Sequence, residues 1–422
     1  MTSLNQTPSG ERVHISIFGR RNSGKSSLIN ALTGQSLAIV SDIPGTTTDP
    51  VSKSMEILPL GPVVVTDTAG IDDVGDLGSL RVEKTLRVLE NTDVAVIVIE
   101  CSQSPENFEE DLVSKIKERN IPLVICASKT DSGCNADKIQ NWAISHSVVF
   151  AKCSALTGEG IEELKNIISE TSPTNISEPE IIGDLINEGD IVVLVVPIDK
   201  AAPKGRLILP QVMTIRDILD NDAIAVTAKE RELKACLDSL ERKPKLVVTD
   251  SQAFLKVDAD TPKDIMMTSF SILMARYKGK LEDFVEGVKK IDSLKIGDKV
   301  LISEGCTHHR QADDIGKVQI PRWLRQMVGG ELEFGFSSGK DFPPNVADFD
   351  LIVHCGSCML NRREMLYRQR IAKKAGVAMT NYGVLIAKVH GILERALEPF
   401  PLAKLIYNSD DDNPSLFAER NI

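Results

Sequence analysis

Residues 13–26 read VHISIFGRRNSGKS, and SLINALTG follows at 27–34. VHISIF has the apolar run of a buried strand, and the stretch after the glycine loop has a helical pattern. Between them Gly19–Ser26 matches G-x-x-x-x-G-K-[ST] in the strand–loop–helix setting that this phosphate loop requires. Glycines let the backbone approach phosphates closely, and the helix N-terminus adds partial positive charge. Lys25 is expected to neutralise the β- and γ-phosphates, and Ser26 to ligate Mg2+.

Working outward, VVVTDT, VAVIVIE and PLVICAS read as further strands of a buried parallel sheet. SLRVEKTLRVLEN, FEEDLVSKIKERN and IEELKNIISE read as crossover helices. The fold class is therefore α/β, a P-loop GTPase domain followed by two smaller α/β domains. In such open sheets ligands gather at the strand carboxyl ends. DTAG (67–70) ends one strand, so Asp67 is expected to hold Mg2+ through water and the Gly70 amide to sense the γ-phosphate. Thr47, in PGTTTDP (44–50), is expected to close on Mg2+ when that phosphate is present.

SKTD (128–131) follows PLVICA and is positioned to read the base. A carboxylate at Asp131 accepts from guanine N1–H and N2–H2, whereas adenine would leave it facing an acceptor. Lys129 is expected along the base, and the amides of Ser154 and Ala155 at guanine O6. The expected nucleotide contacts are Gly19, Asn22, Ser23, Gly24, Lys25, Ser26, Ser27, Ser128, Lys129, Asp131, Ser154 and Ala155.

These elements, in this order, resemble the TrmE/Era-like GTPases. Two departures matter. Ser128 stands where that group carries the Asn of NKxD, which predicts fewer contacts to base and phosphate loop. Ile71 follows DTAG, where many Ras-type GTPases carry a water-orienting Gln. The resemblance implies that a potassium ion meets the transition-state charge, held by Asn22 and loop carbonyls, and that turnover is slow.

The chain has 422 residues, 42% hydrophobic and 26% charged, with a net charge of −11. That length predicts several domains. The acidic balance argues against nucleic acid or an anionic membrane as partner, and no stretch is apolar enough for a membrane span. The sequence predicts a cytoplasmic protein. Residues 1–11 read as a disordered lead-in, 12–172 as the GTP-binding domain, and 173–180, polar with prolines, as a linker. Residues 181–260 alternate strand and helix without a phosphate loop or ionisable cluster, and read as a dimerisation domain. Residues 264–408 form a third α/β block, and 409–422 an acidic flexible tail.

Eight cysteines are present. Cys101, Cys126, Cys134, Cys153 and Cys236 read as scattered, buried small hydrophobes. The other three gather with histidines in the last block, as Cys306-Thr307-His308 after VLISEG and His354-Cys355-Gly356-Ser357-Cys358 after FDLIV. C-x-x-C spacing converges two sulfurs on one ion or cluster. A closed Cys3His zinc site and an iron–sulfur cluster held by three thiolates both satisfy that spacing.

C-x-H…H-C-x-x-C behind a GTPase and a middle α/β block resembles the HydF family, the GTPases and scaffolds of FeFe-hydrogenase maturation. TSFSILMARYKG and TNYGVLIA also resemble stretches of that family. The resemblance implies a 4Fe–4S cluster on Cys306, Cys355 and Cys358 with an exchangeable fourth ligand, and His308 and His354 as ligands or supports. It further implies a transient di-iron precursor as cargo. Its implied partners are the radical SAM enzymes HydE and HydG, apo FeFe-hydrogenase and a second copy of the chain. The competing reading is a GTPase with a structural zinc domain, acting in RNA modification or ribosome assembly.

Overall fold

The structure, a computed structural model, describes residues 7–34, 51–58, 60–68, 87–172, 179–197, 207–305, 314–339, 341–343 and 345–409. The chain divides into two units, Met1–Glu178 and Pro179–Ile422.

The first unit is built on strands β1 (Val13–Phe18), β2 (Val51–Ile57), β3 (Gly61–Asp67), β4 (Val94–Glu100), β5 (Leu123–Ser128) and β6 (Val149–Lys152). They form one sheet in the order β2-β3-β1-β4-β5-β6. β1, β4 and β5 are buried on both faces, as their near-continuous apolar runs predict. β2 pairs antiparallel with β3, so the sheet is not wholly parallel. Its sequence, VSKSMEI, alternates polar and apolar residues, the pattern of a strand with one wet face. Ser9–Glu11, inside the expected disordered lead-in, forms a short 3-10 turn, and the ring of His14 meets the Ser9 carbonyl at 2.9 Å.

The second unit carries two parallel sheets of four strands. One uses β7 (Ile191–Val195), β8 (Ile224–Ala228), β9 (Leu246–Thr249) and β10 (Met266–Ser269), in the order β10-β9-β7-β8. The other uses β11 (Lys299–Glu304), β12 (Glu333–Ser338), β13 (Leu351–His354) and β14 (Ala378–Asn381), in the order β12-β11-β13-β14. Because β10 pairs with β9, the first of these sheets extends past the expected end of its block at residue 260. One continuous apolar core runs from Ile181 to Ile406 and serves both sheets. Gly287 shows how tightly the layers approach. A Cβ there would lie 2.1 Å from the Met379 carbonyl oxygen, so the helix Leu281–Val288 rests directly on β14.

The cysteines of the first unit are paired rather than scattered. A disulfide joins Cys101 and Cys134, whose Cα atoms are 6.0 Å apart. The Cys126 and Cys153 sulfurs lie 3.3 Å apart in the core. The pairing follows from the sheet order, since β4, β5 and β6 are neighbours and their ends and adjoining loops lie side by side.

Arg395 ties the second unit together. Its guanidinium donates to the carbonyls of Asp258 (3.0 Å), Thr261 (3.0 Å) and Pro262 (2.7 Å) and pairs with the Asp258 carboxylate. The loop before β10 is thereby clamped to the helix Leu393–Ala396, which comes after β14 in the chain. Removing a charged donor leaves several half-buried acceptors unpaired. Arg395→Ala should therefore cost about 2 kcal/mol, read by urea unfolding with Trp323 fluorescence in a Trp142→Phe background. An unchanged midpoint would mean that the clamp adds nothing to stability.

Candidate functional site

β1 ends at Phe18, and the chain turns at once into the phosphate loop. Gly19 has φ +150°, and a Cβ there would meet the Val98 carbonyl oxygen on β4 at 2.3 Å. Only glycine fits so close to a neighbouring strand. Asn22 (φ +60°) and Gly24 (φ +90°) carry the loop through left-handed backbone into the helix Lys25–Thr33. Lys25 is buried and points back into the loop, donating to the carbonyls of Gly19 (2.9 Å) and Arg20 (2.6 Å). Ser26 Oγ donates to Asp67 Oδ2 at 2.6 Å, so the two residues expected at Mg2+ meet although 41 positions apart. Burial raises the Asp67 pKa, while the Ser26 hydroxyl and the charges of Lys25 and Lys53 oppose it. A hydroxyl beside a half-buried carboxylate is a hard oxygen pair suited to Mg2+. The Ser23 hydroxyl is buried with no hydrogen-bond partner. Ser27, the next residue of that helix, is exposed.

The segments expected to read the base lie at the ends of β5 and β6. Ser128 is buried and donates to the Ser23 carbonyl at 2.6 Å, tying β5 to the phosphate loop. Lys129 (φ +58°) lays its stem beside Gly24 and pairs with Glu100 at 2.8 Å. Ser154, fully buried, donates to Asp131 Oδ1 at 2.6 Å and accepts from the Thr157 amide at 3.2 Å. Asp131, Ser154 and the adjoining Ala155 therefore come together. Thr47, Gly70 and Ile71 lie outside the described residues.

One anchor of this site is not legible in the sequence. Arg20, at an unrestricted position of the loop motif, makes two 2.8 Å bonds to the buried Glu109 carboxylate and a 3.0 Å contact to Glu106. Both glutamates belong to the start of the helix Asn107–Glu118, where they also form a capping box. The loop is thus held on one side by Ser128 and on the other by this helix.

In the second unit, β11 and β13 are paired neighbours with Ser303 opposite His354. Gly305 donates its amide to Cys355 Sγ at 3.0 Å, and the Ser357 amide approaches the same sulfur at 3.4 Å. Burial raises the Cys355 pKa, and these two amides oppose it. Cys306 and His308 lie outside the described residues. Among the described residues no group of three or more Cys, His, Asp or Glu side chains is arranged around one point.

His354 is fully buried. Arg368 Nη1 donates to its Nε2 at 2.9 Å, and its Nδ1 lies 3.0 Å from both the Cys355 carbonyl and Ser357 Oγ. Burial, then the Arg368 charge, holds its pKa down to about 3. The ring is therefore neutral, with its proton on Nδ1. Arg368 is itself fully buried, paired with Glu364 at 2.9 Å and bonded to the Gly339 carbonyl at 2.7 Å. Nothing in RREMLYRQRIAKK marks that arginine as buried. The helix reads as a charged outer face, and only its packing against the sheet shows otherwise.

Residues 181–279 match the family model described as the hydrogen maturase F dimerization domain, and residues 282–399 match its tetramerization domain. The chain belongs to the hydrogen maturase F family. Residues 14–129 match the 50S ribosome-binding GTPase model, so the family's N-terminal unit here is a P-loop GTPase domain. The chain is 39% identical over 173 residues to the tRNA modification GTPase MnmE of Aquifex aeolicus, covering 40% of this chain and 36% of that one. The MnmE of Clostridioides difficile is 34% identical over 153 residues, covering 36% and 33%. The chain spans about a third of the length of these curated relatives. Among solved structures, a variant of Aquifex aeolicus Era bound to GDP and aluminium fluoride aligns with 58% of this chain and 97% of that one, at 20% identity and a TM-score of 0.35. The two domain descriptions imply that hydrogen maturase F chains self-associate. No helix among the described residues is long and apolar enough to cross a membrane.

Ser128→Ala removes the hydroxyl that ties β5 to the phosphate loop while leaving Asp131 in place. The lost bond is worth about 1 kcal/mol, so the Kd for GDP should rise about fivefold, measured by equilibrium fluorescence titration. An unchanged Kd would show that Arg20 alone holds the loop.

Proposed function

We propose that this chain is a GTPase and iron–sulfur scaffold that holds the di-iron precursor of the FeFe-hydrogenase active-site cluster and passes it to the apo-hydrogenase. The observation that carries the metal half is the 3.0 Å contact between the Gly305 amide and Cys355 Sγ. Gly305 directly precedes Cys306, the third cysteine, in the chain. Backbone amides aimed at sulfur are the partners that cluster thiolates use, and hydrogen bonds to sulfur tune such clusters. Cys306, Cys355 and Cys358 would hold a 4Fe–4S cluster, which supplies an iron open to exchange.

His354 supports this choice. Both its nitrogens are engaged by other groups, so it positions the cysteine loop instead of closing the coordination shell. A Cys3His zinc site would have to take a histidine other than His354. An open fourth position suits a carrier, because four permanent protein ligands would impede uptake and release of cargo. Radical chemistry on the precursor belongs to HydE and HydG, since the chain has no C-x-x-x-C-x-x-C run. The protein would work in the cytoplasm as a homo-oligomer. In the GTPase unit, Ser26, Asp67 and Thr47 would hold Mg2+. Asn22 would hold the potassium ion that replaces a water-orienting glutamine, and Gly70 would report the γ-phosphate.

Anaerobic incubation with iron and sulfide should give a brown protein with a reducible 4Fe–4S signal in electron paramagnetic resonance. Cys355→Ser should lose that signal and keep GTP hydrolysis, whereas Lys25→Ala should keep the signal and lose most turnover. A colourless protein that retains one zinc would overturn the scaffold reading in favour of a structural metal.

Hydrolysis should also run faster in potassium than in sodium at equal ionic strength. Equal rates in the two salts would remove the cation from the mechanism.

A further inference from the structure

We propose that Cys101 and Cys134 form a reversible thiol–disulfide pair that sets how tightly the guanine-reading loop holds its nucleotide. The inference rests on the GTPase unit alone and is independent of the metal reading. Cys101 directly follows Glu100, the last residue of β4, and its amide bonds the Ser128 carbonyl at 2.9 Å. Cys134 lies three positions past Asp131, after the turn Thr130–Ser132 and Gly133 at φ +74°. Their Cα separation of 6.0 Å lies in the range a disulfide spans without backbone movement.

The link closes the far end of the segment that begins at Ser128. Its remaining ties are few: a half-buried Lys129–Glu100 pair, the Ser154–Asp131 bond and a 3.4 Å bond from the Thr130 amide to the Cys153 carbonyl. At its start, Ser128 reaches the phosphate loop through one hydroxyl, 2.6 Å from the Ser23 carbonyl. A covalent tie at Cys134 would therefore preorganise the Asp131 carboxylate for the base.

Accessibility separates this pair from its neighbour. Cys134 is half-buried and, with Cys101, borders a surface hollow lined by Ser102, Gln103, Asn135 and Lys138. Cys101 is 4% exposed, behind it. That order suits exchange with a small-molecule disulfide such as oxidised glutathione. The Cys134 thiolate attacks one sulfur of the oxidant and expels a thiolate. The Cys101 thiolate then attacks Cys134 Sγ and expels the second. Two protein thiols lose two protons and two electrons, and the oxidant's disulfide becomes two thiols. Cys126 and Cys153, at 0% and 1% exposure, are sealed from such a reagent. Disulfides in reducing compartments are commonly transient, redox-sensing bonds of this kind.

The test is the dissociation rate of a fluorescent GDP analogue from the full chain, after oxidised glutathione and after dithiothreitol, with peptide mass mapping of the cysteines. The expected result is a Cys101–Cys134 cross-link in the oxidised sample and release slower by on the order of fivefold or more. Cys134→Ala and Cys101→Ser should each lose the response, and Cys126→Ala should keep it. The proposal fails if release is equal while the map shows the bond. It fails equally if the bond does not form, or if Cys134→Ala still responds.

Discussion

Parallel pairing makes the strands of a sheet end on the same side. Both candidate sites of this chain stand on that constraint. In the first unit β1, β4 and β5 deliver Gly19, Glu100 and Ser128 to one edge, and β3 adds Asp67. In the second, β11 and β13 deliver Gly305 and Cys355 to one edge. Strand ends leave backbone amides outside the ladder, and in the second unit one of them, that of Gly305, meets the Cys355 sulfur. The core beneath serves chiefly to hold the strand ends in register.

Each site is also braced by an arginine with a fixed partner set. Arg20 is locked to Glu109, and donating hydrogen bonds to that carboxylate raises its pKa. Arg368 is locked to Glu364, His354 and the Gly339 carbonyl. Burying a charge is costly unless its hydrogen bonds are satisfied, and breaking one partner of such a set leaves the other exposed to the full penalty. Such networks tolerate one geometry and penalise neighbouring ones. That is the property needed beneath a loop that must present sulfurs or amides at fixed positions. Arg368 also fixes the tautomer of His354, which makes the histidine a support for the cysteine loop.

The GTPase model covers residues 14–129, and the hydrogen maturase F models cover residues 181–279 and 282–399 of the second unit. A GTPase domain is thus joined to a unit that carries the family's own dimerization and tetramerization domains. The cysteines obey the same division. Those of the first unit pair with one another near Ser128–Asp131, while Cys355, at the end of β13, receives the Gly305 amide.

Local chemistry makes part of this protein directly legible. GRRNSGKS, DTAG and SKTD predict the nucleotide site because each motif carries its function in its own backbone and side chains, and the apolar runs predict the buried strands. β2, β6 and β14 are harder to read. They are edge strands, and two of them are only four residues long, so packing rather than composition makes them strands. The second block runs further than its sequence suggests for the same reason: MMTS becomes a strand only because β9 is there to receive it. By itself the sequence determined the GTPase motifs and which residue types are expected at phosphate, guanine and metal. Only the tertiary structure decided that Ser128 grips the phosphate loop, that His354 faces Arg368, and that Cys101 meets Cys134. Those contacts join residues far apart in the chain, and their partners are set by strand order, which no local pattern encodes.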